Sequence, residues 1–275
     1  MYCFNIKCIL TRLLIQYIFN QLIISNFMKL DKVEPQFIEK TNPRIGLITL
    51  GSDFRIEKDF NNIVYGRDID LYVNRIHCYN PLTNETLAKM ADDITKVTKD
   101  ILPDQKIDCV AYGCTSGTVA AGYNTIKAKI NLAKPEAKVT TPITATIKAL
   151  KTLDINRISI FTPYTKEIND SILDYFKKQN IIITSLTYFD IASDLDIGKI
   201  DKNYLFKVLS QIDLNDSDAL FISCTALPAL SIIEMLEKKL NITVLSSNQT
   251  LIWDTLNCIN NKETTRGFGK IFEIN

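Results

Sequence analysis

The chain has 275 residues, 46% of them hydrophobic and 23% charged, a balance that buries a sizeable core and excludes disordered, fibrous and small stapled classes. Lys plus Arg total 32 against 31 Asp plus Glu, so a net charge of +1 supplies no field to gather nucleic acid or anionic lipid. Seven Cys without paired C-x-x-C spacing, and one His, His77, would make any zinc site lean almost wholly on thiolates, so no metal is expected and the thiols read as reduced in a cytoplasm.

Residues 1–27 are apolar, but the longest uncharged run, 13–28, is interrupted by Gln16, Asn20, Gln21, Ser25 and Asn26. It falls short of the roughly 20 apolar residues of a membrane span and has no small-residue cleavage site. The segment reads as an extension outside the fold, with a membrane anchor as the alternative, and Met28 opens a polar lead. From Arg44 onward, short β-branched runs alternate with helical patterns, the sign of parallel βα units. Strands are predicted at Arg44 to Leu50, Asp70 to His77, Asp108 to Gly113, Arg157 to Thr162, Ile181 to Tyr188, Ala219 to Ser223 and Ile242 to Leu245. Between the second and third, Asn84 to Ile101 spaces Leu87, Met90, Ile94, Val97 and Ile101 by three and four, a helix with one apolar face closed by Pro103.

The two halves repeat each other. RIGLIT at 44–49 matches RISIFT at 157–162, DCVAYGCTSG at 108–117 matches DALFISCTAL at 218–227, and TPITATI at 141–147 echoes LSSNQTL at 245–251. Buried strands resemble one another by chance, but a repeated Asp-x5-Cys-Thr is harder to explain that way. The expected fold is α/β, with two pseudo-symmetric Rossmann-like lobes on parallel sheets and a site in the cleft at the strands' carboxyl ends. Lobe 1 is expected over 44–142 plus 247–275 and lobe 2 over 143–246, with the chain crossing near Pro142 and returning near Ser246.

Cys114 and Cys224 each follow a strand and precede a helical segment, where a helix dipole lowers a thiol from about 8.5 by about a unit or more. Thr115, Ser116 and Thr225 add hydroxyls, and the N–H groups of 115–118 and 225–227 are placed to hold a carboxylate. A buried reduced Cys is commonly just a small hydrophobe. Two at equivalent places in a repeat, each followed by Thr, favour function. Facing thiols suit proton transfer between the two sides of a carbon, or covalent addition to an activated double bond.

The G-C-T-S-G at 113–117, S-C-T-A-L at 223–227, F-T-P-Y at 161–164 and Q-T-L-I-W at 249–253 resemble the aspartate/glutamate racemase superfamily, in its maleate cis-trans isomerase and arylmalonate decarboxylase branch. The resemblance runs from about Arg44 to the end and implies catalysis by Cys114 and Cys224 without a cofactor. It implies Tyr164 beside a substrate carboxylate, against the plain reading of a turn tyrosine packed by Pro163. Arylmalonate decarboxylases keep only the second Cys, so Cys114 speaks for the two-thiol isomerases and racemases. Where maleate isomerases carry an Asn after the first strand, this chain has Asp53, and a second family Asn falls on Asp194. Two carboxylates repel a dianion by about 1 to 4 kcal/mol per close pair and favour an ammonium, although Asp53 also reads as a helix N-cap and Asp194 as a turn residue. LGSDFRIEKDF at 50–60 with YNPLTNETL at 79–87 looks most like the ectoine-utilisation proteins of this branch.

The expected activity is therefore a two-cysteine isomerase or racemase acting on a small, amino-bearing carboxylate of ectoine breakdown. Maleate isomerisation, a decarboxylase-like lyase and a non-catalytic ligand-binding protein are the alternatives. The expected partner is a small molecule, with no nucleic acid or membrane, and homo-oligomers are common for this fold. His77 reads as a packed or solvated strand-end residue, Cys109 and Cys258 as structural, and Cys3, Cys8 and Cys78 carry no signal. Gly-Phe-Gly at 267–269 is too short for a dinucleotide loop.

Overall fold

The computed structural model describes residues 11–22, 31–38 and 42–274, in two compact units that divide after Thr41. The first contains helix α1 (residues 11–22), whose Leu13, Leu14, Ile15, Tyr17, Ile18 and Phe19 are exposed. The rest of the 1–27 segment, with Cys3 and Cys8, lies outside the described residues, as does Met28. Among the described residues no helix is long and apolar enough to cross a membrane.

In the second unit, β-branched runs form strands, the inner ones buried at nearly every residue and covered on both faces while the edges over residues 70–76 and 182–188 are only partly buried. Two four-stranded parallel sheets result. The first has the order β2-β1-β3-β4, with β1 (Arg44–Leu50), β2 (Asp70–Ile76), β3 (Cys109–Gly113) and β4 (Lys138–Thr140). The second repeats it as β6-β5-β7-β8, with β5 (Arg157–Thr162), β6 (Ile182–Tyr188), β7 (Ala219–Ile222) and β8 (Thr243–Ser246). Equivalent registers, Ile45 opposite Cys109 and Ile158 opposite Ala219, bring Cys114 and Cys224 to corresponding strand ends. The α/β class and the seven expected strands are present. The three-residue β4 is additional, too short to show alternation in the sequence.

Helix α2 (Ile56–Val64) follows β1. The long periodic run after β2 is not one helix. It forms α3 (Asn84–Lys89), a 3₁₀ turn over Met90–Asp93 and α4 (Ile94–Lys99). Tightening that turn keeps Leu87, Met90, Ile94 and Ile101 on one buried face. Helices α5 (Thr115–Ala121) and α6 (Tyr123–Ala133) lead to β4, and α7 (Pro142–Thr152) leads on to β5. In the second half, α8 (Lys166–Lys178), α9 (Asp194–Gly198), α10 (Lys202–Leu209) and α11 (Ile233–Leu240) precede α12 (Ser247–Cys258).

Helix α12 is the most enclosed of the described helices, with residues 247–252 and 254–256 buried. A capping box of Ser246 and Gln249 starts it. It packs on α7, where Thr146 Oγ1 and Thr250 Oγ1 are 3.0 Å apart, and on β3 and β4. Asp254 accepts from Lys148 Nζ at 2.7 Å and from Thr140 Oγ1 at 2.5 Å, which ties α12 to the first sheet. Against the other sheet, Phe176 of α8 meets Phe221 of β7 edge to face at 5.6 Å between centroids, both fully buried. Phe221→Ala is expected to cost about 3 to 5 kcal/mol, read from urea denaturation midpoints at unchanged slope.

Candidate active site

Cys114 caps α5 from an extended backbone, and its Sγ accepts from Gly117 N at 3.2 Å. Ser116 Oγ lies 3.9 Å from the sulfur. The seat depends on glycine, since a Cβ at Gly117 would lie 2.8 Å from Cys114 Sγ and 3.0 Å from Met90 Cε. Cys224 is held differently. It does not open an α-helix, because a turn and a 3₁₀ segment (Leu230–Ile232) intervene before α11. Its φ of 114° is a strained conformation for a side chain with a Cβ.

One residue that sequence reasoning missed links the two half-sites. Ser247 Oγ accepts from Cys224 N at 2.9 Å and from Thr115 Oγ1 at 2.8 Å. Thr225 Oγ1 donates to Gly113 O at 3.3 Å, a second link between the lobes' strand ends. The signal for Ser247 was present in the LSSNQTL echo, which places it at a helix start after a strand. Next to it, Asn248 Nδ2 donates to Thr225 O at 2.9 Å and to Asp59 Oδ2 at 2.7 Å, leaving its own Oδ1 buried and unpartnered.

Tyr164 is fixed from behind. Its N–H donates to Thr162 Oγ1 at 3.3 Å, and its carbonyl accepts from Asn169 Nδ2 at 3.1 Å. Its side chain is buried near both thiols, and burial, then the charges of Cys224 and Cys114, push its hydroxyl pKa up. The turn reading of Tyr164 is therefore incomplete.

The expectation of lowered thiol pKa values is overturned. With Cys114 3% and Cys224 5% exposed, burial pushes both thiols up. The Asp194 carboxylate pushes the same way for each, while hydrogen bonds from Gly117 N and Ala226 N pull down by less. Desolvation of a thiolate here outweighs the dipole of a short helix.

The acidic residues converge on the same place. Asp53, 1% exposed, is not the N-cap of α2, which is Arg55, but its Oδ1 accepts from Arg55 N at 2.7 Å and Ile56 N at 3.1 Å and so closes the turn into that helix. Its Oδ2 is buried without a partner, because the neighbouring Thr225 hydroxyl spends its proton on Gly113 O. Burial raises the Asp53 pKa. Asp194 opens α9 and is buried, not a surface turn residue; its Oδ2 accepts from Ser52 Oγ at 2.5 Å. Burial, with the charge of Asp53 adding, pushes it up to about 6. Asp59 is pushed up to about 7 by burial, partly offset by the Asn248 amide. Cys78 was also missed. It lies beside Ser52, pushed up to about 11 by burial and then by the charges of Asp194 and Asp53. Its place just past the end of β2 was the only available signal.

The remaining candidates stay outside. His77 is exposed with its ring 4.5 Å from Tyr79, edge on. The 267–269 turn receives Gln249 Nε2 at Phe268 O, 2.6 Å, a structural contact. Cys109 and Cys258 are in contact with each other, away from the thiols above. Among the described residues no group of three His, Cys, Asp or Glu is placed to hold a metal ion.

Residues 76–272 match the family model described as arylmalonate decarboxylase. A maleate isomerase of Geobacillus stearothermophilus is 24% identical over 244 residues, covering 83% of this chain and 96% of that protein. An arylmalonate decarboxylase of Bordetella bronchiseptica is 24% identical over 137 residues, 49% of this chain and 57% of that one. Among solved structures, a cysteine-to-serine mutant of Nocardia farcinica maleate cis-trans isomerase, carrying a covalently bound succinylcysteine intermediate, superposes with a TM-score of 0.78 at 20% identity. It covers 85% of this chain and 99% of that one.

Two expectations follow from these electrostatics. Alkylation of Cys114 and Cys224 by iodoacetamide, followed by peptide mapping, should rise with pH without levelling by about pH 9, where an ordinary thiol is already largely ionised. Asp194 holds its proton to higher pH folded than unfolded, so its contribution to stability is full below 3.8 and lost as pH rises through about 6. Asp194→Asn should remove part of the fall in thermal midpoint over that interval; an unchanged fall would contradict the assignment.

Proposed function

The chain belongs to the arylmalonate decarboxylase family, and we propose that within it the protein is a cofactor-independent isomerase whose two thiols work on opposite faces of a small carboxylate. The observation that carries this reading is the pair itself: Cys114 and Cys224 sit buried at equivalent strand ends, joined through Ser247 and subject to one carboxylate, Asp194. A lyase that needs a single thiol would leave Cys114 without a task.

In the proposed reaction Cys114 takes the proton from the carbon beside the carboxylate. Cys224, with Tyr164 buried near it, delivers another to the far face, so one proton is lost, one gained and the centre inverts. Ser116 contacts the carboxylate, while the hydroxyl protons of Thr115 and Thr225 are held by Ser247 Oγ and Gly113 O. Both thiols are neutral before substrate binds, so Cys114 must pass its proton to solvent as substrate arrives. An ammonium set against Asp53 Oδ2 and Asp194 would cancel the part of the rise that the Asp194 charge adds to burial, which couples binding to activation. That argument favours an amino-bearing carboxylate, of which the acylated diaminobutyrates from ectoine ring opening are the members suggested by the sequence.

A second reading is maleate to fumarate isomerisation, favoured by the similarity of 83% of the chain to a maleate isomerase. Here the Cys114 thiolate adds to one carbon of the double bond while the Cys224 thiol protonates the other, the new single bond rotates, and Cys224 takes a proton back as elimination releases the Cys114 thiolate. A proton NMR time course in D2O, with maleate and the two acylated 2,4-diaminobutyrates as substrates, separates the readings. Loss of the α-proton signal from a diaminobutyrate supports the first; fumarate supports the second. Cys114→Ser and Cys224→Ser should each lower turnover by about 10² to 10⁴-fold with the fold intact by circular dichroism. Turnover retained by both variants would refute the two-thiol mechanism.

A further inference from the structure

We propose that Cys109 and Cys258 form a second thiol site, a redox-active pair that closes to a disulfide between β3 and α12 under hydrogen peroxide. Cys109 opens β3 with its thiol fully buried, while Cys258 ends α12 and is half-buried, so a small oxidant reaches one sulfur and finds the other behind it. The strand register sets Lys138 of β4 opposite Cys109, and Lys138 Nζ donates to Cys258 O at 2.7 Å, closing the corner. Each thiol lies in the other's electrostatic surroundings, where α12 packs against β3.

The surroundings divide the labour. The groups facing the pair are Lys138, Lys148, Asp254 and Tyr123. The S–H of Cys109, Lys148 and Lys138 stabilise a thiolate at Cys258 against its own burial and the Asp254 charge, so its pKa falls below the ordinary value, whereas that of Cys109 rises. An accessible, more acidic thiol backed by a second one has the features of a peroxide-sensitive pair. The Cys258 thiolate attacks one peroxide oxygen and releases hydroxide, giving a sulfenic acid. The Cys109 sulfur then attacks it and expels water. Two thiols lose two hydrogens and two electrons, and one peroxide becomes two waters.

The location gives the bond a reach. Strand β3 leads directly into Cys114, and α12 begins at Ser247, which holds Cys224 N–H and Thr115. Clamping the far ends of both elements ties the scaffold on which the catalytic thiols stand.

The test uses the full-length protein, peroxide at increasing ratio, N-ethylmaleimide quenching and non-reducing peptide mapping. The expected result is a Cys109–Cys258 cross-linked peptide that forms before free Cys114 or Cys224 is lost, with a thermal midpoint raised by several degrees and restored by dithiothreitol. Cys109→Ser, or Cys109→Ala should serine not fold, should leave a Cys258 sulfenic acid that dimedone traps. Cys258→Ser should abolish both cross-link and trap. A wild-type chain whose Cys258 stays reduced while Cys114 or Cys224 oxidises overturns the proposal, as does Cys258 linked to any other cysteine.

Discussion

The hydroxyl of Ser247 is the point at which the half-sites of two sheets become one. Each sheet can place a cysteine at the end of its third strand in sequence, but neither fixes it relative to the other. One oxygen accepting from both Cys224 N–H and Thr115 Oγ1 supplies that relation. Its position follows from α12, which is started by the Ser246 and Gln249 capping box and anchored on the first sheet through Asp254. A buried hydroxyl that serves two donors is costly to remove, since each would then be left unpaired in a water-excluded place.

Dehydration is the second theme, and it governs the charges. Asp53, Asp59, Asp194 and the thiols of Cys78, Cys114 and Cys224 all have pKa values raised, with burial the first cause each time. An empty site that resists negative charge on so many groups is unfavourable to a bare anion and receptive to a compensating cation. The unpartnered Oδ2 of Asp53 marks where such a group would make the largest difference.

Much of this architecture can be read in the sequence because duplication doubles every signal. The strand runs at Arg44 and Arg157, and the two Cys-Thr pairs, located the sheets and both thiols. The short β4 escaped because three residues show no alternation. The single apolar face of Asn84 to Ile101 was correct as a face and wrong as one helix, since the 3₁₀ turn preserves the face while breaking the rod. The dipole argument for acidic thiols failed because a sequence shows helix starts but not how completely a site is dried. Ser52 with Asp194, and Cys109 with Cys258, meet only through the tertiary fold, and no local pattern announces them.

The backbone of Cys224 records what the site demands. At φ 114° a glycine would sit without strain, whereas a residue with a Cβ costs about 1 to 3 kcal/mol. Replacing this cysteine by glycine would relax the chain and remove the sulfur together. Stability and chemistry therefore pull in opposite directions at one residue, and pressure for a sturdier protein alone would erase the thiol.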